Sequence, residues 1–385
     1  MLKKSLSIVA GSLLVASISN ATEIYNNDGN TIAIGGTMKF GYQSTTNGSD
    51  TNNLVFVSQD KNKSSKLSIT GTRAVNDDMK VFATYEWGIN PLATKNDGTD
   101  QKDFFTPRQG FAGVDHKTFG KFTFGKQVGV YHDVSAFTEK FDLTGTNGVA
   151  PYTSIFNGTS GQAGDGGFTG VGRADGAARY DRKDGPVAYG FQYQAHSTYS
   201  TGVVDRDYSA GAVVIGDVAQ GLKIGGAFNF AKLDVTSLSG EKVDRMDGIL
   251  GISYNDDRFS FGLTGSYNTN LYQLLANTGV APETASIGEE AFFAVKVAQN
   301  QQVFIGNNFQ TTSYKTNDAG LYANKGNTKS TTEYNYVSVG ARNYFTPQAY
   351  VSVEYSYDLR GKSDINNSWN KANASQIGAI FRYDF

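Results

Sequence analysis

Side chains that commonly carry out catalysis are few in this chain and stand far apart. It has no cysteine, which excludes thiol chemistry and a disulfide framework. The three histidines, His116, His132 and His196, lack the spacing of metal ligands. The glycines of 161–172 have neither a strand-to-helix context nor the Lys-Ser/Thr that follows a phosphate loop. These residues predict neither an enzyme nor a metal or cofactor site.

Charged residues stand instead at intervals in one long polar segment, residues 127–176. It begins after Lys126 and includes Asp133, Glu139 and Asp142. A segment of about fifty residues without regular structure of its own is usually either functional or disordered. Acidic and basic groups facing each other across a narrow aqueous neck would create a transverse field that favours small polar solutes. The segment is therefore our first candidate for a functional site.

The elements that must position this segment are predicted to be β-strands, and the last of them is the clearest. One side of its two-residue period is apolar and aromatic: Ile377, Ala379, Phe381, Tyr383 and the terminal Phe385. Frayed termini of soluble proteins are normally polar, whereas a barrel that closes on its last strand needs that strand to be regular. An ordinary C-terminal sheet strand is the alternative.

Composition and the N-terminus narrow the class of protein. The 385 residues include 22 tyrosines, 25 phenylalanines and 45 glycines, which favours a mostly β protein. A net charge of −2 leaves no basic excess for binding nucleic acid. Lys3 and Lys4, a short apolar run and Ser19-Asn20-Ala21 are typical of a secretory signal. We expect residues 1–21 to be the signal peptide and 22–385 to be the exported domain.

The connections between the predicted strands alternate strictly between short and long. Seven short turns and eight long polar segments join sixteen strands, a pattern typical of outer-membrane barrels. The turns lie at 76–78, 119–120, 183–186, 217–221, 255–257, 299–301 and 346–348. The long segments are 43–64, 88–107, 127–176, 196–206, 231–243, 268–287, 310–333 and 359–374.

This alternation predicts an all-β fold, a 16-stranded antiparallel transmembrane β-barrel with short periplasmic turns and long extracellular loops. A polar inner face would line a water-filled interior, because unpaired polar groups in a dry core cost about 1–3 kcal/mol each. None of the six prolines interrupts a predicted strand, since we expect Pro107 at the start of one. A soluble β-sandwich or a two-domain all-β protein is the alternative, but neither needs the asymmetry of the connections.

Several short motifs resemble the general diffusion porins of Gram-negative bacteria at corresponding places. They are Ala21-Thr-Glu-Ile-Tyr-Asn-Asn-Asp-Gly-Asn30, Arg108-Gln-Gly-Phe-Ala-Gly-Val114, Gly120-Lys-Phe-Thr-Phe-Gly-Lys126, Gly172-Arg173 and the terminal Phe385. The resemblance spans the mature chain and fits both the enteric porins and the vibrio-like group. It implies a homotrimer of barrels in the cell outer membrane, in which the third loop, 127–176, folds inward and narrows a pore for small hydrophilic solutes and ions.

The same resemblance implies partners and roles for individual residues. Outer-membrane lipid and lipopolysaccharide would surround the barrel, and the assembly machinery would read the C-terminal strand through Phe381, Tyr383 and Phe385. The candidate basic wall of the constriction is Lys39, Lys66, Arg108, Lys126, Arg173 and Arg179. The candidate acidic loop residues are Asp133, Glu139 and Asp142.

These positions match the family unevenly. Lys66 and Arg108 occupy positions of wall arginines, both inward by strand parity, and Glu139 occupies the first acidic position. Asp142 is the best candidate for the second, because the family's Pro-Glu-Phe-Gly-Gly is absent. Thr37 replaces a basic residue, with Lys39 nearby. Among Arg173, Arg179 and Arg182 the sequence leaves open which one reaches the lumen.

Three other functions stay open at this stage. A solute-specific channel would need a lining of aromatic residues or an unusually basic neck. An outer-membrane protease or phospholipase would need a histidine with an acidic or serine partner at the barrel mouth. A surface adhesin or receptor could coexist with a channel, because the long loops would be exposed.

Overall fold

The fold is a single closed β-barrel with almost no helix. It is described from a computed structural model. The residues it describes are 21–47, 50–51, 55–56, 65–90, 104–144, 148–149, 166–198, 205–235, 241–270, 284–314, 329–360 and 375–385. Within these ranges no helix is long and apolar enough to cross a bilayer. The predicted signal peptide, residues 1–21, lies outside the described part except for Ala21.

Sixteen long strands form the barrel wall. They are β2 (Asn30–Asn47), β5 (Ser65–Ala74), β6 (Met79–Ile89), β7 (Phe105–His116), β8 (Gly120–Val128), β9 (Arg173–Asp184), β10 (Val187–Gln194), β12 (Asp205–Ala219), β13 (Leu222–Val235), β14 (Glu241–Asn255), β15 (Phe259–Thr269), β16 (Thr284–Ala298), β17 (Gln301–Tyr314), β18 (Lys329–Thr346), β19 (Ala349–Asp358) and β20 (Ser375–Asp384). The shorter elements are β1 (Thr22–Asn27), β3 (Asp50–Thr51), β4 (Val55–Phe56), β11 (Ser197–Thr198) and the helix α1 (Val130–Ser135).

Each wall strand pairs antiparallel with the next, and β2 pairs with β20 to close the ring. The predicted sixteen-stranded antiparallel barrel is therefore confirmed, and each predicted short turn joins two of these strands. The terminal residue takes part in the closure. Gly36 donates its N–H to the Phe385 carbonyl at 2.8 Å, and Phe385 donates back to Gly36 at 3.0 Å. A side chain at Gly36 would collide with the Phe385 ring, since a Cβ there would lie 2.7 Å from its ζ carbon.

Several strands are longer than the sequence predicts. Residues 43–47, 231–235, 241–243, 310–314 and 329–333 were predicted as loop but continue the strands. The reason is that ladder hydrogen bonds form between backbones, so pairing can continue where side chains are polar on both faces and the apolar alternation has ended.

The core of the protein lies inside the barrel, between the wall and the segment that joins β8 to β9. The third loop, predicted at 127–176, spans 129–172, because 127–128 still belong to β8 and 173–176 already belong to β9. The structure describes it at 129–144, 148–149 and 166–172. Side chains of this loop form one apolar cluster with wall residues that face inward. Its buried members are Val130, Tyr131, Val134, Val149, Val171, Val213, Ile215, Ala227 and Ile249. The outer face of the barrel carries exposed apolar side chains, among them Phe124, Phe191, Leu250 and Phe381.

Candidate pore constriction

Helix α1 begins the third loop and packs its apolar side on the wall. Val130, Tyr131 and Val134 are buried against Val213 and Ile249. Burying an aliphatic or aromatic side chain of this size contributes about 1.5–3 kcal/mol. The Tyr131 hydroxyl donates to the Val149 carbonyl at 2.7 Å, which joins the first two described parts of the loop, 129–144 and 148–149. The start of the loop is therefore held inside the barrel by a small hydrophobic core.

Glu290 of β16 anchors the middle of the loop. Its carboxylate accepts the N–H groups of Gly148 at 2.8 Å and Val149 at 3.4 Å, and the Thr138 hydroxyl at 2.8 Å. A buried carboxylate is costly unless donors surround it, and here the loop backbone supplies them. The side chain is fully buried, so the loop covers it completely.

Glu354 of β19 anchors the next stretch in the same way. It accepts the N–H groups of Asp142 at 2.9 Å and Leu143 at 3.4 Å, and the Thr144 hydroxyl at 3.3 Å. Two wall carboxylates thus accept hydrogen bonds from the backbone and hydroxyl groups of the loop. The loop backbone is tied to β16 on one side and to β19 on the other.

Wall amides hold the returning part of the loop. Gln192 donates to the Gly170 carbonyl at 2.8 Å, Asn229 to the Thr169 carbonyl at 2.7 Å, and Gln194 to the Gly167 carbonyl at 2.9 Å. The sequence predicts that Gln192, Gln194 and Asn229 face a water-filled interior. That prediction was wrong for these three, because the loop backbone takes the place of water on this side of the lumen.

Asp142 lies at the centre of the largest cluster of charge on the wall. Its carboxylate is 3.2 Å from Lys39 Nζ, 3.4 Å from Arg342 Nη2 and 3.7 Å from Arg382 Nη1, and it accepts the Tyr350 hydroxyl at 3.1 Å. These four wall residues belong to the neighbouring strands β2, β18, β20 and β19. Burial alone would raise the pKa of Asp142, but the three cations hold it well below its usual range.

A second cluster joins Lys66 and Arg108 through an acidic residue of β6. Glu86 lies 2.8 Å from Arg108 Nε and 3.6 Å from Lys66 Nζ, and it also accepts from Gln109 at 3.2 Å. The two clusters lie on adjoining strands, since β2 pairs with both β20 and β5, and β5 pairs with β6, so together they form one basic wall. The acidic member of this wall, Glu86, was not among the predicted site residues.

A β-bulge lets both Arg108 and Gln109 face the lumen. In the register of β6 and β7, Glu86 pairs with Gln109 and Trp87 pairs with Pro107, so Arg108 is an extra residue. Strict parity would send Arg108 and Gln109 to opposite faces, and the bulge removes that restriction. The bulge also accommodates Pro107, which lies inside β7 rather than at its start as predicted, because a proline cannot donate to the ladder.

Glu139 and Lys140 are the exposed charged residues of the described third loop. Glu139 Oε2 lies 2.8 Å from His132 Nε2. Burial would raise the pKa of Glu139, but His132, Lys66 and Arg173 together lower it to about 2. Lys66 of the wall is thus close enough to act electrostatically on this loop carboxylate. Burial lowers the pKa of Lys140.

The remaining predicted site residues lie where the loop leaves and rejoins the wall. Arg179 contacts Asp133 at 2.6 Å and Asp181 at 2.9 Å, and both Arg179 and Asp133 are buried. Burial raises the pKa of Asp133 to about 6, while Arg179 acts in the opposite direction. Lys126 pairs with Asp175 at 3.0 Å.

Arg173 is also buried, whereas Arg182 pairs with Asp184 at the short-turn end. Among the three arginines left open by the sequence, Arg173 and Arg179 are therefore the two that lie on the inner side. The structure gathers Lys39 with Asp142, and Lys66 with Arg108, but it places Arg179 and Asp133 in a separate buried pair.

Sequence reasoning missed six residues that organise the site: Glu86, Glu290, Arg342, Tyr350, Glu354 and Arg382. All six lie on the inward parity of their strands, and that parity was the available signal.

Comparisons with known proteins agree with this architecture. A family profile described as Gram-negative porin matches residues 27–385. The outer membrane porin protein OmpD of Salmonella typhimurium is 26% identical, with 99% of each chain covered. A structure of Salmonella typhi OmpF in complex with daunomycin shares the fold at a TM-score of 0.69 and 17% identity, covering 94% of this chain and 100% of that one. Vibrio cholerae OmpT in its trimer form superposes at a TM-score of 0.57 and 16% identity, covering 93% and 100%.

The profile covers nearly the whole described barrel, from β1 to the terminal Phe385. The alignment with the OmpD relative likewise covers 99% of both chains. The chain belongs to the family of Gram-negative porins.

Proposed function

We propose that this outer-membrane barrel is an open pore for the passive diffusion of small hydrophilic solutes and ions, with the third loop forming its neck. The observation that carries the proposal is the position of the loop. It lies inside the barrel, bound to Glu290 on β16 and Glu354 on β19, and it brings Glu139 within electrostatic reach of Lys66. An inserted and firmly held loop leaves a narrowed aqueous passage rather than a wide one.

The charges on the two sides of this passage suit polar solutes. Lys66, Arg108 and Arg382 lie on the wall, and Glu139 lies on the loop. A fixed field between them orients water and dipolar solutes, and it raises the cost of passage for bulky apolar ones. We assign Lys39, Lys66 and Arg108 to the basic wall and Glu139 to the acidic loop face. We assign Asp142, Asp133, Arg179 and Arg173 to holding the loop, since all four are buried.

The assembly and surroundings of the barrel are part of the proposal. A homotrimer is supported by family membership and by the Vibrio cholerae relative whose structure is described as a trimer form. Lipid and lipopolysaccharide would contact the apolar outer face, and the assembly machinery would recognise Phe381, Tyr383 and Phe385. We assign no enzymatic activity to the chain.

The test is a conductance and solute-flux measurement on the purified, folded protein. In planar bilayers we expect stable current steps without added ligand. In proteoliposomes we expect the uptake of neutral sugars to fall steeply as their size increases. Heat-denatured protein is the control. Folded protein that inserts but passes neither ions nor the smallest sugar would refute the pore and would favour a receptor or adhesin.

A further inference from the structure

We propose that the neck favours small hydrophilic anions, and that Lys66, Arg108 and Arg382 are the residues that attract them. This inference rests on the proposed pore and specifies which solutes cross it best. It follows from an asymmetry in two clusters on the basic wall: Glu86 and Asp142 are buried, while three of the cations paired with them, Lys66, Arg108 and Arg382, are partly exposed.

The Glu86 cluster shows the asymmetry most simply. The Glu86 side chain is only 2% exposed, while those of Lys66 and Arg108 are 22% and 16% exposed. One buried carboxylate therefore stands behind two partly exposed cations. An ion in the lumen meets the positive ends of these pairs first.

The Asp142 cluster repeats the arrangement on the adjoining strands. The Asp142 side chain is 1% exposed, and three cations surround it: Lys39, Arg342 and Arg382. Lys39 and Arg342 are largely buried with Asp142, but the Arg382 side chain is 33% exposed. Arg382 also pairs with Asp384 at 3.0 Å, so its charge is partly balanced from the short-turn end.

Two further wall acids, Glu290 on β16 and Glu354 on β19, face the loop backbone and not the lumen. Glu290 and Glu354 are buried, and loop N–H and hydroxyl groups donate hydrogen bonds to their carboxyl groups. Loop dipoles thus surround both carboxyl groups at short range. They add little to the field that a solute in the open part of the lumen experiences.

The loop side does not offset the wall. Glu139 is its exposed acid, but the next residue, Lys140, is exposed as well, and His132 contacts the Glu139 carboxylate. In the sequence, segments 145–147 and 150–165 of the loop contain one charged residue, Asp165. Across the described neck the wall therefore presents exposed positive charge to a loop face of nearly balanced charge.

The chemistry of the three cations suits carboxylates and phosphates. Two of them are guanidinium groups, which match the paired oxygens of these anions better than an ammonium does. Clefts lined by one sign of charge raise the local concentration of the opposite ion. Glu86 and Asp142 keep the cations in place without covering them.

The reversal potential of the full-length protein in planar bilayers tests the inference, measured across a tenfold KCl gradient. Wild type should show a reversal potential of the anion-selective sign. Arg382→Gln and Arg108→Gln should each lower the chloride-to-potassium permeability ratio about twofold, as expected for one unit charge several ångströms from the ion path at moderate salt. Arg382→Lys should keep most of the preference, because it keeps the charge.

The matched control is Lys117→Gln, which removes an equally positive but highly exposed charge at a short turn. It should leave the ratio unchanged. If Arg382→Gln fails to fold, Arg108→Gln carries the same test. Open channels with cation preference, or ratios unaffected by both arginine variants, would overturn the anion preference and leave the pore intact. Absence of current would overturn the pore itself, and the anion preference with it.

Discussion

Asp142 bridges a pair of like charges across two wall strands. Its Oδ1 atom lies 3.2 Å from Lys39 Nζ, and Arg382, the residue directly opposite Lys39 in the ladder of β2 and β20, approaches the same oxygen at 3.7 Å. Like charges directly opposite each other destabilise a strand pair. The third loop thus supplies the carboxylate that makes this seam of the barrel stable.

Removing that carboxylate should free the loop. In Asp142→Asn the three cations lose their common partner, and breaking a buried ion pair costs about 3–5 kcal/mol. We expect noisier single-channel currents, a larger mean conductance and a stronger anion preference than in wild type. Single-channel recording measures all three. Currents indistinguishable from wild type would show that Asp142 does not hold the loop.

Glu290 offers a test with a neighbouring control. In Glu290→Ala the N–H of Val149 loses its acceptor, at about 1–3 kcal/mol for a buried donor left unpaired, while the N–H of Gly148 keeps only Asn308 Oδ1 at 3.0 Å. We expect frequent transitions between conductance levels, because the loop can then leave the wall. Glu289→Ala removes the next carboxylate along the strand, which is exposed on the opposite face. The current through Glu289→Ala channels should resemble that of wild type. Equally frequent transitions between conductance levels in the two variants would show that Glu290 does not anchor the loop.

The low pKa of Glu139, about 2, predicts a pH dependence. A carboxylate with a lowered pKa stays ionised well below its ordinary range, so its charge should persist at pH 4 and disappear only as the pH falls toward 2. Glu139→Gln should therefore raise the anion preference by a similar amount at pH 7 and at pH 4. Reversal potentials at both values measure the difference. A difference at pH 4 reduced to half or less would mean an ordinary pKa and no close cation.

The bulge in β7 predicts an unusual pattern of chemical accessibility. Because the chain has no cysteine, single cysteine variants report one position each. We expect Arg108→Cys and Gln109→Cys both to react with a charged, water-soluble thiol reagent and both to change the current. Ala112→Cys, exposed on the outer face, is the control and should leave the current unchanged. Reaction at only one of the two consecutive positions would indicate a regular strand without the bulge.

The barrel could be predicted from the sequence because its signal is local. Alternation such as that of Ile377, Ala379 and Phe381 fixes which side of a strand meets lipid, and turns such as 76–78 fix where the strands reverse. The strand ends next to the long loops, such as residues 231–235 of β13, were not predicted. Their backbone pairing continues among polar side chains, where no apolar alternation marks the strand.

The site could be predicted only in part, because its contacts join distant parts of the chain. Lys66 and Arg108 were found as inward cations, and Glu139 as a loop acid. Glu354 binds the N–H of a residue 212 positions away, and no local pattern reveals such a pair. The inward orientation of Arg108 also depends on a bulge, which the parity argument does not contain. The sequence predicts water in a part of the interior where the loop backbone lies. A polar wall that faces water and a polar wall that faces a loop have the same sequence pattern, so the two cannot be distinguished.

The central claim is that ions and solutes pass between the third loop and the basic wall. The most direct measurement is the current through Glu139→Cys channels while a bulky thiol reagent is added, with labelling followed by mass spectrometry. We expect the current to fall in steps as the cysteines react, because each modified side chain obstructs a neck. Complete labelling at position 139 with no change in current would place the conducting path elsewhere and would contradict this account.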